Sequence, residues 1–323
     1  MIPASVFDLV KNDIHLVEAR MSVQANQDFP DLQAALTHLI KSGGKRIRPA
    51  LTLLTGRILE SNPEQVITLA AAIEMLHTAT LVHDDLIDGA LLRRGNPTLN
   101  SRWSPAATVL TGDYLFARAA GLAAQANSLT AMRLFAETLA VIVNGEITQL
   151  FTKDDIQESS NRSSYYRRIN AKTASLFRTS MMVAALVNST NEEITNAVGR
   201  YGYGVGMAFQ IVDDVLDFTG NQIAVGKPLG SDLRQGIITL PVIYYLESHP
   251  DNPDLQSLFE KTSRQENIER LIESIRNSKA IEQSLEEART FAEHASTEIR
   301  GLPECRERQA LEDLAHFIVD RNM

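Results

Sequence analysis

Cysteine is nearly absent from this chain, and its scarcity limits the compartment and the chemistry. The 323 residues include one cysteine, Cys305. A single thiol excludes an intramolecular disulfide framework and is typical of a reducing compartment, so we expect a cytoplasmic protein. No histidine neighbour or activating motif accompanies Cys305, which disfavours a catalytic thiol.

An excess of positive charge is also missing. The formal net charge is -9, which argues against nucleic acid as the main partner. The cations that are present are clustered, in residues 43–49 (GGKRIRP) and at Arg93 and Arg94. Clusters of this kind favour a small anionic ligand over a polyanion.

Long apolar runs are lacking as well. The N-terminus, MIPASVFDLVKND, has an early acid and no basic start before an apolar run, so it does not resemble a signal peptide. No uninterrupted apolar stretch approaches the length that spans a bilayer. We therefore predict a chain without a transmembrane segment, although its substrate or product can be lipophilic.

Strand-like alternation and internal repeats are absent, and helical periodicity dominates instead. Val6, Leu9, Val10 and Ile14 follow an i, i+3/i+4 pattern, which predicts a first helix from about residue 4 to residue 24. Similar patterns continue to the end, with short loops and no linker composition. We predict one all-α domain over residues 1–323, in which residues 252–323 add amphipathic helices.

The most informative motif is the DDxxD sequence of Asp84, Asp85 and Asp88. Residues four apart share one helix face, so Asp84 and Asp88 point the same way, and Asp85 lies about 100° around the helix. A hard divalent cation would relieve the repulsion between these carboxylates, and Mg²⁺ often brings a phosphate as a further ligand. Alone, such a motif is more often a solvated acidic surface on a helix.

A second DDxxD changes that balance. Asp213, Asp214 and Asp217 follow an apolar stretch that includes Ile211 and Val212. Apolar flanks predict mostly buried helices, and buried charges must be paired or bind metal. We infer that the two motifs face each other across a cavity and hold several Mg²⁺ ions around one diphosphate.

Cationic residues supply the other candidate pieces. The glycine pair before Lys45, Arg46 and Arg48, followed by a helix start, describes an anion site, and capping of the preceding helix is an equal alternative. Arg93 and Arg94 could neutralise the same diphosphate or form surface ion pairs of little energy. His77 lies two turns before Asp84, where a satisfied core histidine is the usual case. The single lysines 172 and 227 would be solvent-exposed by default.

Taken together and in order, these motifs resemble the trans-polyprenyl diphosphate synthases, most closely the long-chain bacterial type that makes octaprenyl and solanesyl diphosphates. The resemblance runs from about residue 30 to residue 247 and includes GGKRIRP, both DDxxD motifs, KTA at 172–174, FQ at 209–210 and GKPLGSDL at 226–233. It implies a helical bundle of the isoprenoid synthase type with a central apolar tunnel. It also implies a homodimer joined through residues 105–150, and about three Mg²⁺ per active site.

The resemblance assigns roles by position. Both aspartate motifs would hold Mg²⁺ and the allylic diphosphate, and Gln149 would lie near the metals. Arg93, Lys172 and Lys227 would contact that diphosphate, with Thr173 and Gln210 near its reacting carbon. The second substrate, isopentenyl diphosphate, would be bound by Lys45, Arg48, His77 and Arg94. The expected reaction is head-to-tail condensation of the two diphosphates after Mg-assisted ionisation of the allylic one.

Two further positions concern product length and activity. Ala79 and Thr80, five and four residues before Asp84, are small, so a growing chain could pass them and exceed C20, reaching about C30–C50. Small residues there could instead only allow tight helix packing. Ile237 stands where the family usually has lysine, which puts diphosphate affinity in question. Geranylgeranyl or farnesyl diphosphate synthase, a non-catalytic subunit of a heteromeric synthase and a terpene cyclase are the alternatives.

Overall fold

The described part of the chain is almost entirely helical in a computed structural model that covers residues 4–22, 30–41, 44–93, 95–152, 160–188, 191–220, 229–260 and 265–320. This confirms the all-α prediction. Arg94 and Lys227 lie outside the described residues. The helices are α1 Ala4–Met21, α2 Pro30–Lys41, α3 Ile47–Ile58, α4 Pro63–Ile87, α5 Pro105–Gln125, α6 Leu129–Thr152, α7 Arg162–Ile169, α8 Ser175–Leu186, α9 Glu192–Thr219, α10 Ser231–Arg234, α11 Leu240–Ser248, α12 Pro253–Phe259, α13 Gln265–Arg276, α14 Ala280–Glu298 and α15 Arg306–Asp320.

Local sequence signals set where the long helices begin. The side chains of Asn62 and Ser104 accept hydrogen bonds from backbone N–H groups of the first turns of α4 and α5, and Asn191 does the same for α9. A proline follows Asn62 and Ser104 at the first helical position, where its missing N–H costs nothing. Each such cap contributes about 1 kcal/mol.

The helices α4 and α9, which carry the two aspartate motifs, lie inside the bundle. Helix α4 packs against α5, α3 and α1, while α9 packs against α14 and α8. Glycines bring α9 close to its neighbours: a Cβ at Gly206 would lie 2.6 Å from the Cα of Ala174. The apolar core extends from Val6 to Val319, so the C-terminal helices share it with α4 and α9.

A short hairpin interrupts the helices directly after the first aspartate motif. Strands β1 Leu92–Arg93 and β2 Asn96–Pro97 pair antiparallel, and Gly95 has φ 77°, the left-handed conformation that a tight turn favours. Two-residue strands have no alternation that a sequence pattern could reveal. The hairpin folds Arg93 back toward the end of α4.

Within the described ranges, two helices are long and apolar enough to cross a membrane by length and composition alone, namely α4 and α6. The apolar window of α4 is 78% buried, as expected for a core helix. That of α6 is only 17% buried, and Val143, Ile147, Leu150 and Phe151 are exposed. An apolar helix face of this extent in a globular protein indicates an interaction surface.

Candidate active site

A cavity of about 370 Å³ lies where α3, α4, the α7–α8 region and α9 meet, and both aspartate motifs reach it. The structure therefore brings together residues that are far apart in sequence. Eleven of the predicted positions line this cavity: Lys45, Arg48, His77, Thr80, Asp84, Asp85, Arg93, Lys172, Thr173, Gln210 and Asp213.

The first motif sits at the C-terminal end of α4, where the helix dipole disfavours carboxylates. Asp85 compensates by pairing with Arg93, whose Nε lies 2.8 Å from Asp85 Oδ1. Burial is the main cause that raises the pKa of Asp84 to about 7, and Lys172 opposes it. No hydrogen bond to the Asp84 carboxylate comes from the described part of the chain. A carboxylate in this environment is well suited to bind a cation.

Asp88, the last residue of this motif, faces a neighbouring cavity of about 530 Å³ that also contains Glu146, Gln149 and Ile237. Lys172 interacts electrostatically with carboxylates of both cavities. Burial opposes its charge, but the carboxylates of Glu146, Asp84, Asp88 and others outweigh that effect and raise the pKa of Lys172. Lys172 is therefore a permanently charged ammonium group between the acidic residues.

Lys172 and Thr173 owe their positions to a local distortion. Residues Asn170–Ala174 form a π-helical turn between α7 and α8. Such turns widen a helix by one residue and are frequent at functional sites. In the side chain of Thr173, the hydroxyl donates to Gln210 Oε1 at 2.6 Å, which joins this turn to α9.

The three aspartates of the second motif have different environments. Asp213 is exposed and lines the main cavity. Asp214 is buried and accepts hydrogen bonds from Tyr165 Oη at 2.8 Å and Gln210 Nε2 at 2.9 Å. Asp217 accepts from the backbone N–H groups of residues 231 and 232, which caps α10. The structure thus brings Asp213 to the cavity but not Asp214 or Asp217.

The cationic side of the cavity is built around α3. Arg48 lies with its guanidinium carbon 4.8 Å from the centre of the Phe177 ring, and burial lowers its pKa to about 10. Its Nε is buried without a hydrogen-bond partner among the described residues. An anionic oxygen would supply that partner.

Arg46, between the two predicted ligands, has a different environment. Its guanidinium pairs with Glu74 at 2.9 Å and with Glu18 at 3.0 Å, and the side chains of Arg46 and Glu74 are 8% and 5% exposed. Arg46 has φ 49°, a left-handed conformation that non-glycine residues rarely adopt. This pairing fixes the backbone from which Lys45 and Arg48 extend.

The apolar side of the cavity begins below the first motif. Thr80 lines the cavity, and its hydroxyl donates to the carbonyl oxygen of His77. Ala79 is fully buried one residue earlier. The cavity therefore reaches the α4 turn at which the tunnel is predicted to begin, and the tunnel itself stays a prediction.

Several residues of the site had not been singled out from the sequence. Glu74 precedes His77 by three residues on α4, a spacing that could have suggested a shared face. Tyr165 gave no local signal, because its partner Asp214 lies 49 residues away. Glu146 belongs to the GEITQ segment, but no motif spacing in the sequence identifies it as a site residue.

The model of the family described as polyprenyl synthetase matches residues 29–275. The chain belongs to the polyprenyl synthetase family. The heptaprenyl diphosphate synthase component 2 of Bacillus subtilis is 37% identical over 318 residues, which cover 98% of this chain and 90% of the relative. The octaprenyl diphosphate synthase of Haemophilus influenzae is 35% identical over 317 residues, with 97% and 95% covered.

A solved structure supports the same family. The polyprenyl synthase from Caulobacter crescentus, complexed with calcium and isoprenyl diphosphate, superposes with a TM-score of 0.89 at 33% identity, covering 98% of this chain and 97% of that one. These matches confirm the predicted trans-polyprenyl diphosphate synthase family, the isoprenoid synthase fold and a chain-elongating prenyltransferase of the long-chain type.

Proposed function

We propose that this protein adds isopentenyl diphosphate units head-to-tail to an allylic diphosphate such as farnesyl or geranylgeranyl diphosphate. One observation carries the proposal most strongly. Asp84 and Asp213, on different helices, line the same cavity as the cations Arg48, Arg93 and Lys172. A site for two diphosphates needs acidic residues that bind metal ions and fixed cations that bind phosphates.

Magnesium is the proposed cofactor, with about three ions per active site. Among the described residues, no three Asp, Glu, His or Cys side chains form a ready-made metal cluster. Mg²⁺ does not require one, because it is usually held by one or two carboxylates together with waters and phosphate oxygens. Asp84, whose carboxylate receives no hydrogen bond from the described residues, fits that donor set, as do Asp85, Asp88 and Asp213. The relative solved with calcium and isoprenyl diphosphate supports a divalent cation here.

The chain's own residues then stabilise the reaction. Bound Mg²⁺ would neutralise charge on the departing diphosphate. Arg93, Lys172 and Lys227 are proposed to hold the same group, with Lys227 assigned by the resemblance alone. Thr173 and Gln210 would place electron-rich oxygens beside the allylic cation, and the apolar surroundings would exclude water that could quench it.

Isopentenyl diphosphate is proposed to occupy the side of the cavity lined by Lys45, Arg48 and His77, with Arg94 as a further ligand from the resemblance. The buried Nε of Arg48 supports this choice, because a phosphate oxygen would satisfy it. The double bond of this substrate would then attack the allylic cation, and a proton would be lost to the departing diphosphate.

The product is proposed to be an all-trans chain above C20, about C30–C50. Ala79 and Thr80 leave no aromatic side chain at the top of the predicted tunnel. The relatives named heptaprenyl and octaprenyl diphosphate synthases support products in this range.

We propose a homodimer that buries the exposed apolar face of α6. Val143, Ile147, Leu150 and Phe151 lie on this helix, and Leu110 of α5 is also 67% exposed. Burying such a face against a second copy would remove apolar surface from water. A cytoplasmic location, inferred from the single thiol, stays a prediction.

A non-catalytic subunit of a heteromeric synthase is the second candidate. Ile237 favours it, and so does the relative named as a component of heptaprenyl diphosphate synthase. The acids and cations that line the cavity argue against it.

Purified protein should be incubated with farnesyl diphosphate, labelled isopentenyl diphosphate and Mg²⁺, and the dephosphorylated products separated by thin-layer chromatography. We expect products of C30 or longer, no turnover with a chelator, and loss of turnover in Asp84→Asn. Asp8→Asn is the matched control, since Asp8 is exposed on α1 and does not line the cavity. No turnover by the protein alone would favour the subunit alternative, and products that stop at C20 would overturn the long-chain assignment.

A further inference from the structure

A chain of hydrogen bonds runs from the bundle interior to the main cavity. Tyr165 Oη donates to Asp214 Oδ2 at 2.8 Å, Gln210 Nε2 donates to Asp214 Oδ1 at 2.9 Å, and Thr173 Oγ1 donates to Gln210 Oε1 at 2.6 Å. Tyr165, Asp214 and Thr173 are all buried, at 0%, 4% and 5% exposure. The chain therefore connects α7, α9 and the π-helical turn away from bulk water.

Asp214 fixes the direction of every bond in this chain. Both oxygens of the Asp214 carboxylate accept hydrogen bonds, one from Tyr165 Oη and one from Gln210 Nε2, so the NH₂ group of Gln210 faces Asp214. The amide oxygen of Gln210 then faces Thr173 and accepts its hydroxyl hydrogen. As a result, the Thr173 oxygen and Gln210 Oε1 present lone pairs, and not hydrogens, at this end of the chain. A residue without acceptor oxygens at position 214 would let the amide turn over and reverse these roles.

We propose that Asp214 is a positioning residue, not a magnesium ligand, and that Tyr165 in turn holds Asp214. This inference rests on the proposed function, in which Gln210 and Thr173 lie beside the reacting allylic carbon. Oxygen lone pairs directed at that carbon would stabilise its developing positive charge, whereas an amide NH₂ would destabilise it.

The surroundings of Asp214 support this assignment. Both carboxylate oxygens are already hydrogen-bonded within the protein, while the preceding residue, Asp213, is the one that lines the cavity. Burial and the charge of Asp232 raise the pKa of Asp214 to about 7, while the hydrogen bonds from Gln210 and Tyr165 and the charge of Arg168 oppose this. The guanidinium carbon of Arg168 lies 5.5 Å from the centre of the Tyr165 ring, and its side chain donates to the carbonyl oxygen of Ile238.

Tyr165→Phe and Asp214→Leu test the proposal from two sides. Each removes hydrogen bonds of the chain without entering the cavity. Because the Gln210 amide is then no longer held with its oxygen toward Thr173, we expect kcat to fall about 10-fold or more. The Mg²⁺ concentration for half-maximal activity and the KM for isopentenyl diphosphate should stay within about twofold of wild type. Asp213→Leu, by contrast, should raise that Mg²⁺ concentration.

Tyr201→Phe is the matched control for losing a buried tyrosine hydroxyl, because Tyr201 Oη donates to the carbonyl oxygen of Leu311, far from the cavity. It should lower stability comparably and leave kcat unchanged. In a Gln210→Ala background, adding Asp214→Leu should lower kcat by less than about a further twofold, because both changes act through the same amide.

Three results would overturn the proposal: an altered Mg²⁺ requirement in Asp214→Leu, an unchanged kcat in Tyr165→Phe, or multiplying effects in the Gln210→Ala background. If Asp214→Leu fails to fold, Tyr165→Phe decides alone. An inactive wild-type protein would count against the proposed function and not against this inference.

Discussion

Removing the buried partner of Arg46 should weaken both the fold and the anion site. Glu74→Gln keeps the shape of the side chain but removes the buried carboxylate from Arg46, while Glu18, whose side chain is 39% exposed, still pairs with it. Breaking a buried ion pair from one side costs about 3–5 kcal/mol. Because Glu18 remains, we expect the low end, about 3 kcal/mol.

The assay is thermal unfolding of the two single variants Glu74→Gln and Glu18→Gln beside wild type. At about 2 °C per kcal/mol for a chain of this size, Glu74→Gln should lower the midpoint by about 6 °C. Glu18→Gln, at the exposed end of the same guanidinium, should lower it by about 2 °C or less. Arg46 adjoins Lys45 and precedes Arg48 by two residues, so Glu74→Gln should also raise the KM for isopentenyl diphosphate more than that for the allylic substrate.

Equal destabilisation by the two variants would refute this reasoning, because it would mean that burial of Glu74 adds nothing to the pair. An unchanged KM for isopentenyl diphosphate in Glu74→Gln would separately show that Arg46 does not position its neighbours.

Three other predictions concern the metal, the tunnel and the missing lysine. Burial raises the pKa of Asp84 to about 7, so below that pH Mg²⁺ must displace a proton, and the affinity measured by calorimetry should fall up to about 10-fold per pH unit at this site; a flat profile from pH 6 to 8 would contradict it. Ala79→Phe should shorten the products seen by chromatography, because an aromatic ring would fill the predicted tunnel; unchanged products would place the length limit elsewhere. Ile237→Lys adds a cation to the cavity that contains Asp88 and Glu146, and should lower the KM for the allylic diphosphate; a higher KM would mean that the ammonium competes with the metal.

The features that sequence reasoning captured are those set by local spacing. The 3.6-residue period predicted the first helix to within a few residues of the observed Ala4–Met21. The spacing of Asp84 and Asp88 required only that their helix exist. Apolar flanks were enough to place both motifs on buried helices, because the apolar content of a helix predicts its burial.

The orientation of individual polar side chains was not accessible in this way. Asp213 and Asp214 are adjacent and chemically identical, yet only the first reaches the cavity, since Tyr165 and Gln210 hold the second. Asp217 is likewise occupied by the backbone of α10. Such choices depend on partners brought close by the tertiary fold, and a motif does not contain them.

The central claim is that both aspartate motifs contribute to one magnesium–diphosphate site, and a crystal structure with Mn²⁺ and a non-reactive allylic diphosphate analogue tests it most directly. Anomalous scattering should locate Mn²⁺ ions bound by Asp84 and by Asp213, with one diphosphate between them and Lys172 beside it. A diphosphate bound outside this cavity, or ions that contact only one of the two motifs, would contradict the account.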